Sequence, residues 1–425
     1  VRSGSVAVAV LAATALAGTA LAPAALAATA VAPAAVADDV SPSPSASPAL
    51  PSGLYGTADP AYDGVWRQSL ALLAQRTVGV RPADKAVDWL AGQQCADGAF
   101  APYRADATAE CDTETLVDTN STAAAVQALA ALGGHDTETG KALAWLKSAQ
   151  NKDGGWGYVA GGASDANSTS VVIGALAAAG EKPADVTAKG GGSPYDALAA
   201  LSIPCDADGG GAFAYQPDKK GKLAANADAT AAAVTGALGK GFAGADTKST
   251  GAAASCESSG GSDATDAAAD PGRAARNGAA YLVTALAKDK YLKSALAGAE
   301  DQPDYGNTAD AVVALATAGR GDDAAGTVRW LEGHTAKWAA QSGPAAYAQL
   351  ILAADASGVD PRDFGGQDLV RQLGATGPAP RTASATADRS DSDDGLGVWW
   401  IVGVGLVAGV GIGFLISGRN KRQRL

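Results

Sequence analysis

The stretch Trp145-Leu146-Lys147-Ser148-Ala149-Gln150-Asn151-Lys152-Asp153-Gly154-Gly155-Trp156-Gly157-Tyr158, followed by Asp165-Ala166-Asn167-Ser168-Thr169 and the apolar run Val171 to Ala177, decides the fold. It reads as a helix, a Gly-punctuated turn carrying an aromatic residue, a polar cap and a second helix. Asp and Asn side chains accept hydrogen bonds from the unpaired N–H groups of a helix start. Asp-Gly and Gly-Gly permit a sharp turn at positive φ. The same unit stands upstream, as Trp89 to Gln94, then Asp97-Gly98-Ala99-Phe100, then Asp118-Thr119-Asn120-Ser121-Thr122 opening Ala123 to Ala130. Self-similarity at a period of a few tens of residues marks a repeat architecture. In such a unit the Trp or Phe after the turn wedges between helix pairs, and Ala-rich helices pack closely side by side.

Outward from these two copies the pattern continues. Helices over Val65 to Gln75, with Trp66, Leu70 and Leu73 on one side, and over Ala83 to Gln94 precede them. A third, worn copy has Asp206-Ala207-Asp208-Gly209-Gly210-Gly211-Ala212-Phe213, with Asn226-Ala227-Asp228 opening Ala231 to Leu238. Ser249 to Gly272 reads as a long Ser/Gly/Ala/Asp loop tied back by Cys256. A fourth copy puts Tyr281-Leu282 and Tyr291-Leu292 in helices and lets Asp304-Tyr305-Gly306-Asn307-Thr308-Ala309-Asp310 open Ala311 to Ala316. A fifth has Val328 to Leu331 on one helix and Tyr347 to Ala354 on the next. No strand run is evident, so the body, residues 53–374, is expected to be all-α.

The flanks carry addresses rather than fold. Methionine is absent, so Val1 reads as an alternative start. Arg2, the apolar run Val6 to Leu21 and Ala25-Leu26-Ala27 make residues 1–27 a signal peptide, with Ala35-Val36-Ala37 as a second cleavage pattern. Residues 28–52 are an Ala/Ser/Pro linker. Residues 375–397 read as a polar stalk. Residues 398–417 are apolar over about 20 positions, the length that spans a bilayer core. Trp399 and Trp400 stand at its outer end, and Arg419, Lys421, Arg422 and Arg424 fix the tail, 418–425, in the cytoplasm. No sortase-type Leu-Pro-x-Thr-Gly precedes the helix, so it is expected to be retained, with the body on the outer face of the plasma membrane.

A net charge of −12 argues against nucleic-acid partners and against acidic surfaces. Cys95, Cys111, Cys205 and Cys256 are an even set outside the membrane, and their order favours Cys95–Cys111 and Cys205–Cys256 disulfides. His135 and His334, the two histidines, lack ligand spacing to a cysteine, so no metal site is expected.

Gln150-Asn151-Lys152-Asp153-Gly154-Gly155-Trp156 resembles the Gln…Gly-x-Trp repeat of the squalene/hopene cyclase and protein prenyltransferase superfamily, and Gln94 to Phe100 is a variant with Phe for Trp. The resemblance implies an α/α toroid of alternating inner and outer helices. That fold hosts cyclases, prenyltransferases, complement-like thioester domains and cobalamin carriers of the intrinsic factor and transcobalamin type. The catalytic signatures of the first three are missing from the body. The acidic Asp-x-Asp-Asp of the cyclases occurs as Asp391-Ser392-Asp393-Asp394, in the stalk. The zinc set of the prenyltransferases is absent, and Gly92-Gln93-Gln94-Cys95 lacks the thioester order. Glycosidase chemistry would need two facing carboxylates.

What remains is a polar series at helix starts: Asp118 with Asn120, Asp165 with Asn167, Asn226 with Asp228, and Asn307 with Asp310. Capping alone accounts for every member. In a toroid the same residues would also ring one mouth, with Trp156, Tyr158, Phe213 and Tyr305 nearby, as a ligand pocket needs. The resulting expectation is a surface-anchored binding protein without catalytic residues or cofactor. By resemblance to the cobalamin carriers it captures a corrinoid or similar bulky small molecule for a membrane importer. A toroid enzyme, cyclase-like or glycan-cleaving, and a cell-wall interaction module are the alternatives.

Overall fold

The computed structural model describes residues 50–244, 255–258, 270–295 and 298–381. The expected signal peptide (residues 1–27), membrane helix (398–417) and basic tail (418–425), and Asp391 to Asp394, lie outside the described residues. Among those described, no helix is long and apolar enough to cross a membrane.

Thirteen α-helices are described. Six of them form a closed ring: α1 (Gly64–Thr77) packs on α3 (Thr119–Leu132), α3 on α5 (Ala166–Ala178), α5 on α7 (Ala227–Ala237), α7 on α9 (Tyr305–Thr317), α9 on α12 (Pro344–Ala356), and α12 back on α1. The others stand outside it: α2 (Asp84–Gly92), α4 (Asp136–Ser148), α6 (Pro194–Ala200), α8 (Pro271–Leu286), α10 (Gly321–His334), α11 (Ala336–Ser342) and α13 (Leu369–Ala375). This is the inner-and-outer arrangement of an α/α toroid. Small residues set its tightness. A Cβ on Gly236 of α7 would fall 2.7 Å from Ser170 Oγ of α5, so those helices touch nearly backbone to side chain.

The repeat has a physical identity finer than its sequence pattern. The cap residues Asp118, Asp165, Asn226 and Asp304 each accept a hydrogen bond from the N–H three residues on. Four residues after each cap stands a threonine, and its hydroxyl accepts from the backbone N–H after the turn. The pairs are Phe100 to Thr122 (2.9 Å), Trp156 to Thr169 (3.1 Å), Phe213 to Thr230 (2.9 Å) and Leu292 to Thr308 (2.9 Å). Two residues before each of these is a positive-φ residue, Gly98, Gly154 and Gly211, and in the fourth copy Lys290 at φ 65°. Glycine suits the position because a Cβ on Gly98 would lie 2.3 Å from the Lys141 carbonyl of α4, and on Gly154 2.1 Å from that of Ser193. The motif glutamines brace the same turns, Gln94 Nε2 donating to the Gly98 and Glu138 carbonyls and Gln150 Nε2 to Gly154. Neighbouring units are laced by N–H groups at helix starts: Val65 to the Pro102 carbonyl, Thr119 to Tyr158 and Ala166 to Tyr215.

Several expectations are corrected. The fourth cap is Asp304, not Asn307, and its helix begins at Tyr305 rather than Ala311. Tyr291-Leu292 is not helical. Leu292–Lys293 (β1) pairs antiparallel with Pro303–Asp304 (β2), a two-residue ladder and the one named strand pair among the described residues. Residues 375–381, expected to begin a stalk, pack on the body. There Tyr55 donates its hydroxyl to the Pro378 carbonyl (3.0 Å), Gly56 N–H bonds Thr376, and Arg381 N–H bonds Arg81. Both disulfides join as ordered, Cys95–Cys111 and Cys205–Cys256, each with Cα atoms 5.6 Å apart.

Candidate functional site

Ring closure creates a lumen to which all six inner helices contribute. Trp66 and Leu70 come from α1, Gln127 from α3, Ser170 and Val171 from α5, Asp228 and Thr235 from α7, Asp310 and Val313 from α9, and Gln349 and Leu352 from α12. Its volume is about 80 Å³, against roughly 10–15 Å³ for one water molecule on the same measure. One end is plugged by the segment after α7. Phe242 N–H donates to Gln127 Oε1 (2.9 Å), and the Phe242 ring stands edge-on to Trp66 at 5.4 Å. Gly241 sits where a Cβ would meet that same Gln127 oxygen. Lys240, on the same segment, also lines the lumen.

Two carboxyls face the lumen from adjacent helices. Asp228 Oδ2 accepts from Asn167 Nδ2 (2.7 Å), and Asp310 Oδ2 accepts from Gln349 Nε2 (3.0 Å). Burial raises both, Asp310 to about 7, and the negative charges of Asp228 and Asp304 add to the effect on Asp310. Ser170, 5 % exposed, has a hydroxyl oxygen with no hydrogen-bond partner. Among the described residues no group of His, Cys, Asp and Glu converges as metal ligands.

The sequence-expected site residues divide into three groups. Asp118, Asp165 and Asn226 are caps, and Asn120, Asn167 and Asp228 lie two residues inside the same helices. Asp118 is 2 % exposed and is pushed up to about 6 by burial. Tyr158 stands beside it, 48 % exposed, its phenol raised to about 12 by burial and by the Asp118 charge. Tyr215 repeats the arrangement on Asp165, to which its hydroxyl bonds. Asn167 bonds Asp228, and the charges of Asp165 and Asp304 reach it, so polar residues at the starts of three neighbouring inner helices stand together.

Trp156, Tyr305 and Asn307 do not. Trp156 is fully buried, its indole N–H bonded to the Leu146 carbonyl at 2.7 Å, so it wedges the repeat and reaches no mouth. Phe213 is buried likewise. Tyr305 stacks on Trp330 and Trp338 of the outer helices at 5.4 Å each. Asn307 Nδ2 is held by Asp304 Oδ2. Asp228 and Asp310 belong to the cap series, whereas the lumen residues Trp66, Gln127, Ser170 and Gln349 carry no cap or turn signal. The one sequence clue to them is the shared face of Trp66 and Leu70 on α1.

No family profile and no curated protein matches the sequence. Among solved structures, the chain is similar to a protein from Actinoplanes, with 15% identity and a TM-score of 0.31 over 68% of this chain and 100% of that one. It is also similar to the apo type II terpene cyclase MstE from Scytonema, with 16% identity and a TM-score of 0.28 over 62% of this chain and 78% of that one.

Proposed function

We propose that this protein is a surface-held binding protein whose toroid takes a small molecule into its lumen. The observation that carries the reading is that all six inner helices contribute to one cavity, mostly apolar with a few fixed polar groups, as ligand sites are. Two disulfides fit a compartment outside the cytoplasm, as do the signal and anchor patterns in the sequence. A corrin macrocycle exceeds a space of about 80 Å³. A corrinoid, and with it delivery to a membrane importer, therefore belongs to the cap mouth, on Tyr158, Tyr215, Asn120 and Asn167. Titration by tryptophan fluorescence separates the two sites, using cobalamin and small apolar amines, alcohols and acids as probes. Binding lost in Trp66→Ala but kept in Tyr158→Ala places the ligand in the lumen, and the reverse places it at the mouth. Saturation by none of the probes refutes the reading.

The acid pair favours a second reading, a toroid enzyme. A carboxyl that keeps its proton near neutral pH in an apolar cavity is suited to general-acid catalysis, and Asp310 is such a group. The cavity volume restricts this reading to substrates far smaller than a triterpene or a glycan. Turnover abolished by Asp310→Asn with binding intact would establish it.

A further inference from the structure

The charge balance of the lumen is unusual. Asp228 and Asp310 each receive one neutral amide N–H, from Asn167 and Gln349, and an amide satisfies an oxygen without cancelling a charge. Their second oxygens take no hydrogen bond from a protein donor among the described residues. No Lys, Arg or His among them is ion-paired with either carboxyl, Lys240 on the plug included. Asp165 and Asp304 add further negative charge from neighbouring cap positions. Half-buried charge of one sign without a counter-charge is costly to keep, and a ligand of the other sign relieves it.

Asp228 on α7 and Asp310 on α9 offer oxygen acceptors to the lumen from two neighbouring helices of the ring. A primary ammonium has three N–H donors, as a lysine head does. Opposite these acceptors the wall is apolar, with Leu70, Leu352 and the edge-to-face pair Trp66 and Phe242, whose ring faces also attract cations.

We propose that the lumen is a site for a small organic cation, a primary ammonium on a short apolar chain. Asp228 and Asp310 hold its head, and Trp66 and Phe242 cover its tail. The proposal rests on the lumen-binding reading above and adds the ligand's charge to it. The size of the cavity limits the chain to a few carbons.

The test compares three probes of one size and different charge: n-butylamine, n-butanol and butyrate, titrated calorimetrically into the full chain at about pH 8, where Asp310 is ionised. The expected result is that the amine binds at least about tenfold more tightly than the alcohol and that butyrate does not bind. Asp310→Asn should remove the preference for amine over alcohol while melting no lower than wild type. Alcohol or butyrate binding as tightly as the amine overturns the charge assignment and leaves the lumen reading standing. Binding by none of the three overturns both. A preference that survives when Asp228 and Asp310 are both replaced by Asn places the amine at another acidic site and overturns the assignment.

Discussion

Replacing Asp310 by Asn should make the protein more stable at neutral and alkaline pH, and only there. The carboxyl is raised from 3.8 to about 7, first by burial and then by the Asp228 charge. At about 1.36 kcal/mol for each tenfold, ionising it inside the folded ring costs about 4 kcal/mol. Below its ordinary value the proton is bound in folded and unfolded chains alike, and the group is neutral to stability. Between 3.8 and about 7 the unfolded chain loses the proton while the folded chain keeps it, so stability falls as pH rises through that window. Above it the full penalty applies. Asparagine keeps an oxygen for Gln349 and cannot ionise. The variant should therefore melt about 5–8 °C above wild type at about pH 8, and the two curves should converge near about pH 4. Denaturant titrations at both pH values give the free energies. Equal melting at the higher pH would mean that Asp310 ionises without penalty, and would refute the cost assigned to its place in the lumen.

Trp156→Ala should lose about 3–5 kcal/mol as a core truncation, and any change in ligand affinity should vanish once the unfolded fraction is accounted for. An affinity loss in fully folded variant would return Trp156 to the site. Thr169→Val should lose about 1–3 kcal/mol by stranding the Trp156 backbone N–H, with Thr122→Val and Thr230→Val close to it. Urea midpoints unchanged in all three would mean that the repeated clamp is ornamental. Removing the disulfides should cost about 3 kcal/mol for Cys95–Cys111 and about 4 kcal/mol for Cys205–Cys256, following the 16- and 51-residue separations. Non-reducing peptide maps check the pairing, and a Cys95–Cys205 peptide would contradict it. Fractionation should place the full chain in the membrane with its body open to external protease, and recovery from the cytosol would contradict the export pattern.

What was legible in the sequence was what is local. Asp165 caps a helix through its own next turn, and Gly154 bends a chain that nothing else would bend, so both announce themselves within a dozen residues. The fourth copy misled because Asp304-Tyr305-Gly306 imitates a turn with its aromatic, whereas the position equivalent to Trp156 is held by Leu292 and the glycine by Lys290. The spacing from cap to threonine, Asp165 to Thr169 and Asp304 to Thr308, would have set the register. Gln127, Ser170 and Gln349 were illegible for a different reason. Each is an ordinary polar residue in mid-helix, and nothing within its own turn says that it faces inward. They meet because six helices close a circle, a relation between residues as far apart as Trp66 and Gln349. Trp156 was misassigned because an aromatic in a turn suits a wedge and a ligand wall equally, and burial decides between them.

The way the body is tied off bears on how it would carry load. Tyr55 grips Pro378, Gly56 grips Thr376 and Arg81 grips Arg381, so the first and last strands of backbone are fastened to each other rather than left at opposite sides. A molecule held at one end and tugged at the other feels that tension across these few fastenings first. The helices of the ring lie out of the line of force until the fastenings give. It would therefore open like a buckle, in one early step at low extension, before any repeat unravels.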